Sequence, residues 1–179
     1  SKIIAVSDSS GAIYSKSGFN VKQLNNYKNK TGSVVNFPNS EPIDSDKLLE
    51  IECDVLIPAA LENVITDKNA KNIKTKIISE AANGPTIPEA DEILDNNDVF
   101  LVPDILANAG GVFTSYLEWV QNLQRDHWTN SVVTTRLEQG MVDAFNNVYS
   151  VSKKHNVSMR KAALILGISR VADVIKLLN

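Results

Sequence analysis

The residues best placed to do chemistry gather in one stretch: Asn108-Ala109-Gly110-Gly111-Val112, followed by Ser115, Trp119 and Asn122. Asn108 sets a carboxamide, donor and acceptor at once, just before two adjacent glycines. With no Cβ at Gly110 or Gly111, a ligand or another backbone can come close. Beyond the glycines, Phe113, Tyr116, Leu117, Val120 and Leu123 recur at helical spacing and predict an apolar face. Val112, Ser115, Trp119 and Asn122, spaced by three, four and three, fall on a neighbouring face. That second face mixes apolar and polar groups, as a pocket wall does. Taken alone, the junction also fits a buried glycine turn entering a core helix.

Three further positions carry polar groups at turns. Asp8 ends the apolar run of residues 2–6 and opens Ser7-Asp8-Ser9-Ser10-Gly11. In a dinucleotide-binding sheet, an acid at the end of the second strand accepts hydrogen bonds from the adenosine ribose hydroxyls. A phosphate on that ribose would be repelled unless Lys or Arg compensated. A solvated turn aspartate fits the same position. The deciding partner, a Gly-x-Gly-x-x-Gly turn about twenty residues upstream, is not in this chain. Asn83, before Gly84-Pro85-Thr86, is either a ligand group or the side chain of an Asx turn. Ser115 either faces a ligand or bonds back to its own helix. Trp119 reads as packing and His127 as a surface or interface histidine. Cys53 beside Asp54, with His127 and His155 far apart, makes no metal-ligand cluster. A single cysteine excludes an internal disulfide and makes a reducing cytoplasm the economical expectation.

The elements that would position these residues follow from periodicity. Four short runs rich in β-branched residues, 2–6, 54–57, 76–79 and 99–102, alternate with helical patterns. Such alternation predicts a parallel sheet flanked by helices. A polar or glycine-bearing turn follows each run, at 7–11, 58–63, 81–86 and 108–111. Ligands of open parallel sheets bind outside the carboxyl ends of the strands, so these turns are expected to crowd one cofactor-bearing edge. Ala12-Ile13-Tyr14 reads as a brief extended return. Val21, Leu24 and Tyr27 predict a helix ending near Thr31-Gly32, and Asp44 opens another. Thr66 is expected to cap a short helix to Lys71. Thr86 with Glu89, and Pro88 in the first turn, has the capping-box pattern. A long helix is expected from Thr129 or Asn130, with Val133, Leu137, Met141, Phe145 and Val148 on its face. A last one runs from about Ser158 to Leu178, with Ala162, Ile165, Leu166, Ile168, Ala172, Ile175 and Leu178 inward. At 179 residues and 43% hydrophobic the chain is ordinary for one globular domain, or a domain with a helical appendage. A net charge of −3 gives no general attraction to nucleic acid or anionic membrane. No apolar run approaches the ~18 residues of a membrane span.

Several of these segments together resemble the glutamate dehydrogenases, within the glutamate/leucine/phenylalanine/valine dehydrogenase family. Residues 5–14 are similar to the second strand and following turn of those enzymes. Glu80-Ala81-Ala82-Asn83-Gly84-Pro85-Thr86 resembles their Glu-x-Ala-Asn-x-Pro-Thr segment. Pro103-Asp104 through Asn108-Ala109-Gly110-Gly111-Val112 resembles their Pro-Asp-x-x-x-Asn-Ala-Gly-Gly-Val signature. Ser115 with Glu118-Trp119-Val120-Gln121-Asn122 resembles the segment that follows it. Arg160-Lys161-Ala162-Ala163 and Arg170-Val171-Ala172 match the last helix in character. The likeness extends over essentially the whole chain.

The resemblance implies reversible oxidative deamination of L-glutamate to 2-oxoglutarate and ammonium, with NAD or NADP as hydride acceptor. It places Asp8, with Ser9 beside it, at the adenosine ribose. The backbone of Ala59, Ala60 and Leu61 runs along the cofactor, with Asn83 at the nicotinamide ribose. Asn108 sits at the carboxamide and the substrate. Val112 and Ser115 line the pocket for the substrate side-chain carboxylate, Ser115 as donor. It further implies that the catalytic lysine and aspartate lie in an amino-terminal domain absent here, so that the chain alone is inactive. The first Rossmann strand and its glycine-rich turn are absent too; by the order 3-2-1-4-5-6 that strand is the central one. The expectation is therefore an α/β chain with an incomplete doubly wound Rossmann-type parallel sheet. Residues 1–122 form a partial dinucleotide-binding domain and 123–179 a helical segment packed on it. A hexamer is implied, built mainly through the absent domain. A leucine-, valine- or phenylalanine-type dehydrogenase, or a non-catalytic Rossmann-like module, are the alternatives.

Overall fold

The computed structural model describes residues 1–178. Its first unit is a small antiparallel sheet: β1 (Ala5–Asp8) and β2 (Gly11–Tyr14) form a hairpin, and β3 (Glu41–Ile43) joins β2. Pro42 in β3 lacks an N–H, which an edge strand tolerates. Asn20 caps α1 (Val21–Thr31) by accepting the Gln23 N–H, and Gly32 stops it in the left-handed conformation at φ 82°. Ile13, Leu24 and Val34 form the core of this unit, with Phe19 and Phe37 against it. The short α2 (Ser45–Leu48), capped by Asp44, leads onward.

The second unit is the parallel sheet β4 (Cys53–Leu56), β5 (Thr75–Ser79) and β6 (Phe100–Val102), in the order β4-β5-β6. The register sets Leu56 beside Ile78 and Ile78 beside Leu101, so these three share a face. That face is sealed by α3 (Pro88–Asn96) and a 3₁₀ turn at Ala70–Asn72. Ile65, Ala70, Ile73, Ala90, Leu94 and Val99 fill the space between. Val55, Ile77 and Phe100 share the opposite face. There Phe100 meets the rings of Phe145 and Tyr149, while Ile77 and Val55 stay 37% and 47% exposed. The sheet is covered on both faces at β6 and on one face at β4.

The chain then turns helical: α4 (Asp104–Ala107), α5 (Gly110–Gln124), α6 (Asn130–His155) and α7 (Met159–Leu178). The expected start of α6 is correct, and its predicted stripe from Val133 to Val148 is the face it covers. Gly140 lies on that stripe because a Cβ there would come within 2.6 Å of the Phe113 ring of α5. Val148, Met159, Ala162 and Ala163, with Leu106 of α4, close the helical core against β6. Among the described residues no helix is long and apolar enough to cross a membrane.

The sequence predicts an α/β chain with a parallel sheet and carboxyl-terminal helices, and the structure has both, with four departures. Only three of the four runs lie in the parallel sheet. The first turns back at Ser9-Ser10 and satisfies its backbone by antiparallel pairing with β2, and no described strand joins the two sheets. The Thr86–Glu89 capping box does not form: Ile87 takes the cap position, and Thr86 Oγ1 is buried without a partner among the described residues. The helix expected from Thr66 to Lys71 is reduced to a turn running into the 3₁₀ segment Ala70–Asn72. The Thr66 hydroxyl does accept the Lys68 N–H, at 3.3 Å, and Asn69 holds the turn from within. Its Oδ1 accepts the Thr66 N–H and its Nδ2 donates to Val64 O. Finally, burial along α7 ends near Leu166. Ile165 is 36% exposed, and Ile168, Ile175 and Leu178 are 67%, 53% and 81% exposed on the side expected to face inward.

Candidate functional site

Segments 57–63, 80–86 and 103–111, the last containing α4 and the start of α5, leave the carboxyl ends of β4, β5 and β6 side by side, as a parallel sheet requires. Backbone hydrogen bonds tie them together. Pro58 O accepts the N–H groups of Ala81 and Ala82 at 3.0 and 2.9 Å. Gly84 O accepts the Asn63 N–H at 2.8 Å, and Val102 O accepts the Glu80 N–H at 3.1 Å. Pro58 is buried, whereas Ala59, Ala60 and Leu61 stand exposed at the rim. Asn108 ends α4, its N–H donating to Asp104 O at 3.1 Å. Its Nδ2 donates to Asn83 Oδ1 at 2.8 Å, with longer contacts of 3.4 and 3.5 Å to Ala82 O and Ala81 O.

The structure therefore brings Ala59–Leu61, Asn83 and Asn108 to one edge, with the two asparagines in contact. Their hydrogen bond leaves Asn83 Nδ2 as a donor and Asn108 Oδ1 as an acceptor, neither with a protein partner among the described residues. Next to them, no described residue comes within 4 Å of where a Gly111 Cβ would be, apart from its chain neighbours and its own helix. A Gly110 Cβ would meet Leu137 and Met141 of α6 at ordinary contact distance. Of the two glycines, Gly111 is the one that opens onto space.

Val112 and Ser115 lie on the outer surface of α5, Val112 at 77% exposure. The Ser115 hydroxyl donates back to Gly111 O at 3.2 Å. Trp119 is 59% exposed and touches Tyr116 ring to ring at 6.3 Å, so the packing role expected for it is not realised in this chain. Phe113, Leu117 and Val120 are the members of the apolar face that are covered; Tyr116 and Leu123 are 51% and 66% exposed. His127 is at the surface, and its N–H donates to its neighbour Asp126.

Asp8 and Ser9 sit on the hairpin of the antiparallel sheet. The Asp8 side chain is only 7% exposed. Its Oδ1 accepts the Ser10 N–H at 2.9 Å and the Ser33 hydroxyl at 3.4 Å. Oδ2 accepts the Val34 N–H at 2.9 Å and faces Lys28 Nζ at 3.4 Å. Burial by itself would raise the Asp8 pKa; the N–H donors of Ser10 and Val34 and the Lys28 ammonium outweigh it and hold the pKa below the ordinary value. Asp8 clamps the 33–35 turn onto the hairpin, a role that neither sequence reading of it contained.

Sequence reasoning also missed a cluster beneath the asparagine pair. Arg160, in the first turn of α7, forks onto Asp91 of α3 through Nε and Nη2 at 2.5 and 3.1 Å. Its Nη2 also donates to Glu80 Oε1 at 2.7 Å and its Nη1 to Asp104 Oδ1 at 3.2 Å. Glu80 is fully buried, and its Oε2 accepts the Asp104 N–H at 2.8 Å. Burial works against the Arg160 charge, but hydrogen bonds and charge from Asp91 and Glu80 prevail and raise its pKa above the ordinary value. An acid directly after an apolar strand, as Glu80 is, signals a buried partner in sequence, since a buried carboxylate needs one. No spacing rule names Arg160, 80 residues away.

A model of the glutamate/leucine/phenylalanine/valine dehydrogenases matches residues 1–177. A glutamate dehydrogenase of Thermotoga maritima is 53% identical over 176 residues, 98% of this chain and 42% of that protein. A cryptic catabolic NAD-specific glutamate dehydrogenase of Bacillus subtilis is 44% identical over 172 residues, 96% of this chain and 40% of that protein. Among solved structures, the hetero-hexameric glutamate dehydrogenase of Thermus thermophilus in a leucine-bound form superposes with a TM-score of 0.92. It is 28% identical, with 99% of this chain and 42% of that one covered. The chain thus spans about two fifths of the length of the relatives it matches.

Proposed function

The chain belongs to the glutamate/leucine/phenylalanine/valine dehydrogenase family, and on that premise we propose that it is the cofactor-binding part of a glutamate dehydrogenase. The reaction is reversible oxidative deamination of L-glutamate to 2-oxoglutarate and ammonium with NAD or NADP. The observation that carries this reading is the Asn83–Asn108 pair at the carboxyl edge of three parallel strands. A carboxamide ligand needs one acceptor and one donor. The pair leaves one donor, Asn83 Nδ2, and one acceptor, Asn108 Oδ1, so the donor set fits a nicotinamide.

In this reading Asn83 and Asn108 hold the nicotinamide end, the backbone of Ala59, Ala60 and Leu61 lies along the cofactor, and Asp8 with Ser9 meets the adenosine ribose. The Asp8 carboxylate favours NAD over NADP by charge, and Lys28 beside it offsets part of that preference. Val112 and Ser115 orient the substrate side-chain carboxylate, Ser115 turning its proton away from Gly111 O to do so. When bound, the nicotinamide supplies the hydride acceptor. Amides and a hydroxyl orient groups but exchange no proton near neutral pH, so the acid–base groups belong to the rest of the enzyme. Residues 1–122 then act as the dinucleotide-binding part and 123–179 as the helical segment packed on it, within a hexamer.

The full-length protein, assayed with NAD and with NADP on glutamate and on leucine, tests this. Glutamate-dependent reduction of either cofactor is expected. Activity on leucine with none on glutamate would move the chain to the branched-chain branch of the family. Titration calorimetry silent to both cofactors would leave a non-catalytic module.

A further inference from the structure

We propose that Arg160 is a positioning residue for the nicotinamide-binding asparagines, acting through Glu80 and Asp104; this rests on the cofactor-binding reading of Asn83 and Asn108. The chain of contacts is continuous. Arg160 Nη2 binds Glu80 Oε1 at 2.7 Å, and Glu80 Oε2 accepts the Asp104 N–H at 2.8 Å. Arg160 Nη1 binds Asp104 Oδ1 at 3.2 Å. Asp104 Oδ2 accepts the Gly84 N–H at 2.8 Å, which fixes the backbone immediately after Asn83. Asp104 also starts the helical turn that ends at Asn108, whose N–H it accepts through its backbone carbonyl. Asp104 thus holds the Asn83 loop through its side chain and Asn108 through its backbone carbonyl, and that side chain is oriented by Arg160.

The arrangement has the features of a positioning device. Glu80 is fully buried and ionised groups there need partners; Arg160 and the Asp104 N–H supply one for each oxygen. The planar guanidinium fork addresses three carboxylates from three elements at once, a geometry that a lysine ammonium does not reproduce. Gly84 sits at φ 54°, so the loop holding Asn83 depends on a specific left-handed conformation beside the Asp104 contact. Arg160 itself touches neither asparagine. It ties the start of α7 to the loops after β5 and β6, and so joins the helical segment to the cofactor edge.

The test uses the full-length enzyme with two variants, Arg160→Lys and Asp104→Asn. Arg160→Lys keeps the charge and loses the fork. In Asp104→Asn an oxygen of the amide can still meet Arg160, leaving its NH₂ against the Gly84 N–H. Both variants are expected to raise the KM for NAD or NADP and to lower kcat, by about ten- to a hundredfold together. The KM for glutamate is expected to change less than the KM for the cofactor, because Val112 and Ser115 are not in this chain of contacts and only Asn108 is shared. Variants that melt lower but keep cofactor KM and kcat within about twofold would overturn the proposal and leave Arg160 a purely structural tie. A second readout does not need activity. In crystals of Asp104→Asn the Asn83–Asn108 hydrogen bond should be broken or lengthened, and an unmoved pair would equally overturn the proposal. If wild-type enzyme oxidises no amino acid, it is the functional reading that fails, while the crystal readout still decides the positioning claim.

Discussion

Thr86→Val should make this protein more stable. Thr86 is 8% exposed, its Oγ1 is buried without a hydrogen-bond partner among the described residues, and its backbone bridges to Ile65, itself fully buried. A buried hydroxyl without a partner costs about 1–3 kcal/mol in mutational series. Valine keeps the β-branch, and with it the χ1 restriction, while replacing the hydroxyl by a methyl group of similar size. The lower end of that range, about 1 kcal/mol, is the conservative expectation; for a chain of this size it raises Tm by about 2–4 °C. Scanning calorimetry on wild type, Thr86→Val and Thr86→Ser checks it, with the serine variant expected to melt below wild type because it keeps the hydroxyl and loses a methyl. A valine variant that melts below wild type would refute the reasoning. It would mean that the hydroxyl is hydrogen-bonded in solution.

Asp8 carries two of the remaining predictions. Its pKa is held below the ordinary 3.8, so its contribution to stability is present above that value and disappears as pH falls through the lower folded-state pKa. The Tm gap between wild type and Asp8→Asn should therefore be constant from pH 5 to about pH 8 and close in acid below about pH 4; a gap that widens in acid contradicts the clamp. Asp8→Ser should raise the ratio of kcat/KM for NADP over NAD in the full-length enzyme, since it removes the negative charge and frees Lys28. An unchanged ratio takes Asp8 out of the ribose site. Gly140→Ala places a methyl 2.6 Å from two atoms of the Phe113 ring. Overpacking of about 1–3 kcal/mol outweighs the ~1 kcal/mol gain in helix propensity, and denaturant melts should show a net loss. A gain of the full propensity term would mean that the α5–α6 contact yields freely.

What was legible in the sequence was local. Helix α1 announces itself by Val21, Leu24 and Tyr27 and the stop at Gly32, and α6 by a stripe of apolar residues three and four apart, because stop signals and periodicity act within a few residues of chain. The three parallel strands and their loops were legible for the same reason. Long-range partners were not. Asp8 at the end of a strand was foreseen as a polar group, but its partners Ser33, Val34 and Lys28 come from 20 to 26 residues on, and nothing in the spacing announces them. Thr86 and Glu89 match the capping box in type and spacing. Yet an isolated parallel bridge pairs Thr86 with Ile65 and leaves Ile87 at the cap, so tertiary pairing overrode a correct local signal. Along α7 the apolar pattern alone does not single out an inward side. That pattern states which residues can be buried, and a neighbouring element decides which ones are.

Asn108 is where these considerations meet. Its amide is neutral in both folded and unfolded chains, and the carboxylates beneath it, Glu80 and Asp104, are engaged by Arg160 and by backbone N–H groups. The edge therefore presents dipoles to a ligand. Asn108→Ala removes the acceptor Oδ1 and the donor that orients Asn83. A neutral hydrogen bond contributes about 0.5–1.5 kcal/mol, a factor of about 2 to 12, and losing two groups should weaken cofactor binding by about tenfold or more. Because no proton leaves or joins the amide, the inflection points of kcat/KM against pH should not move while its height falls. A shift of an inflection by more than about half a unit would place Asn108 in contact with the group that titrates, and the cofactor edge would then take part in proton transfer rather than in orientation alone.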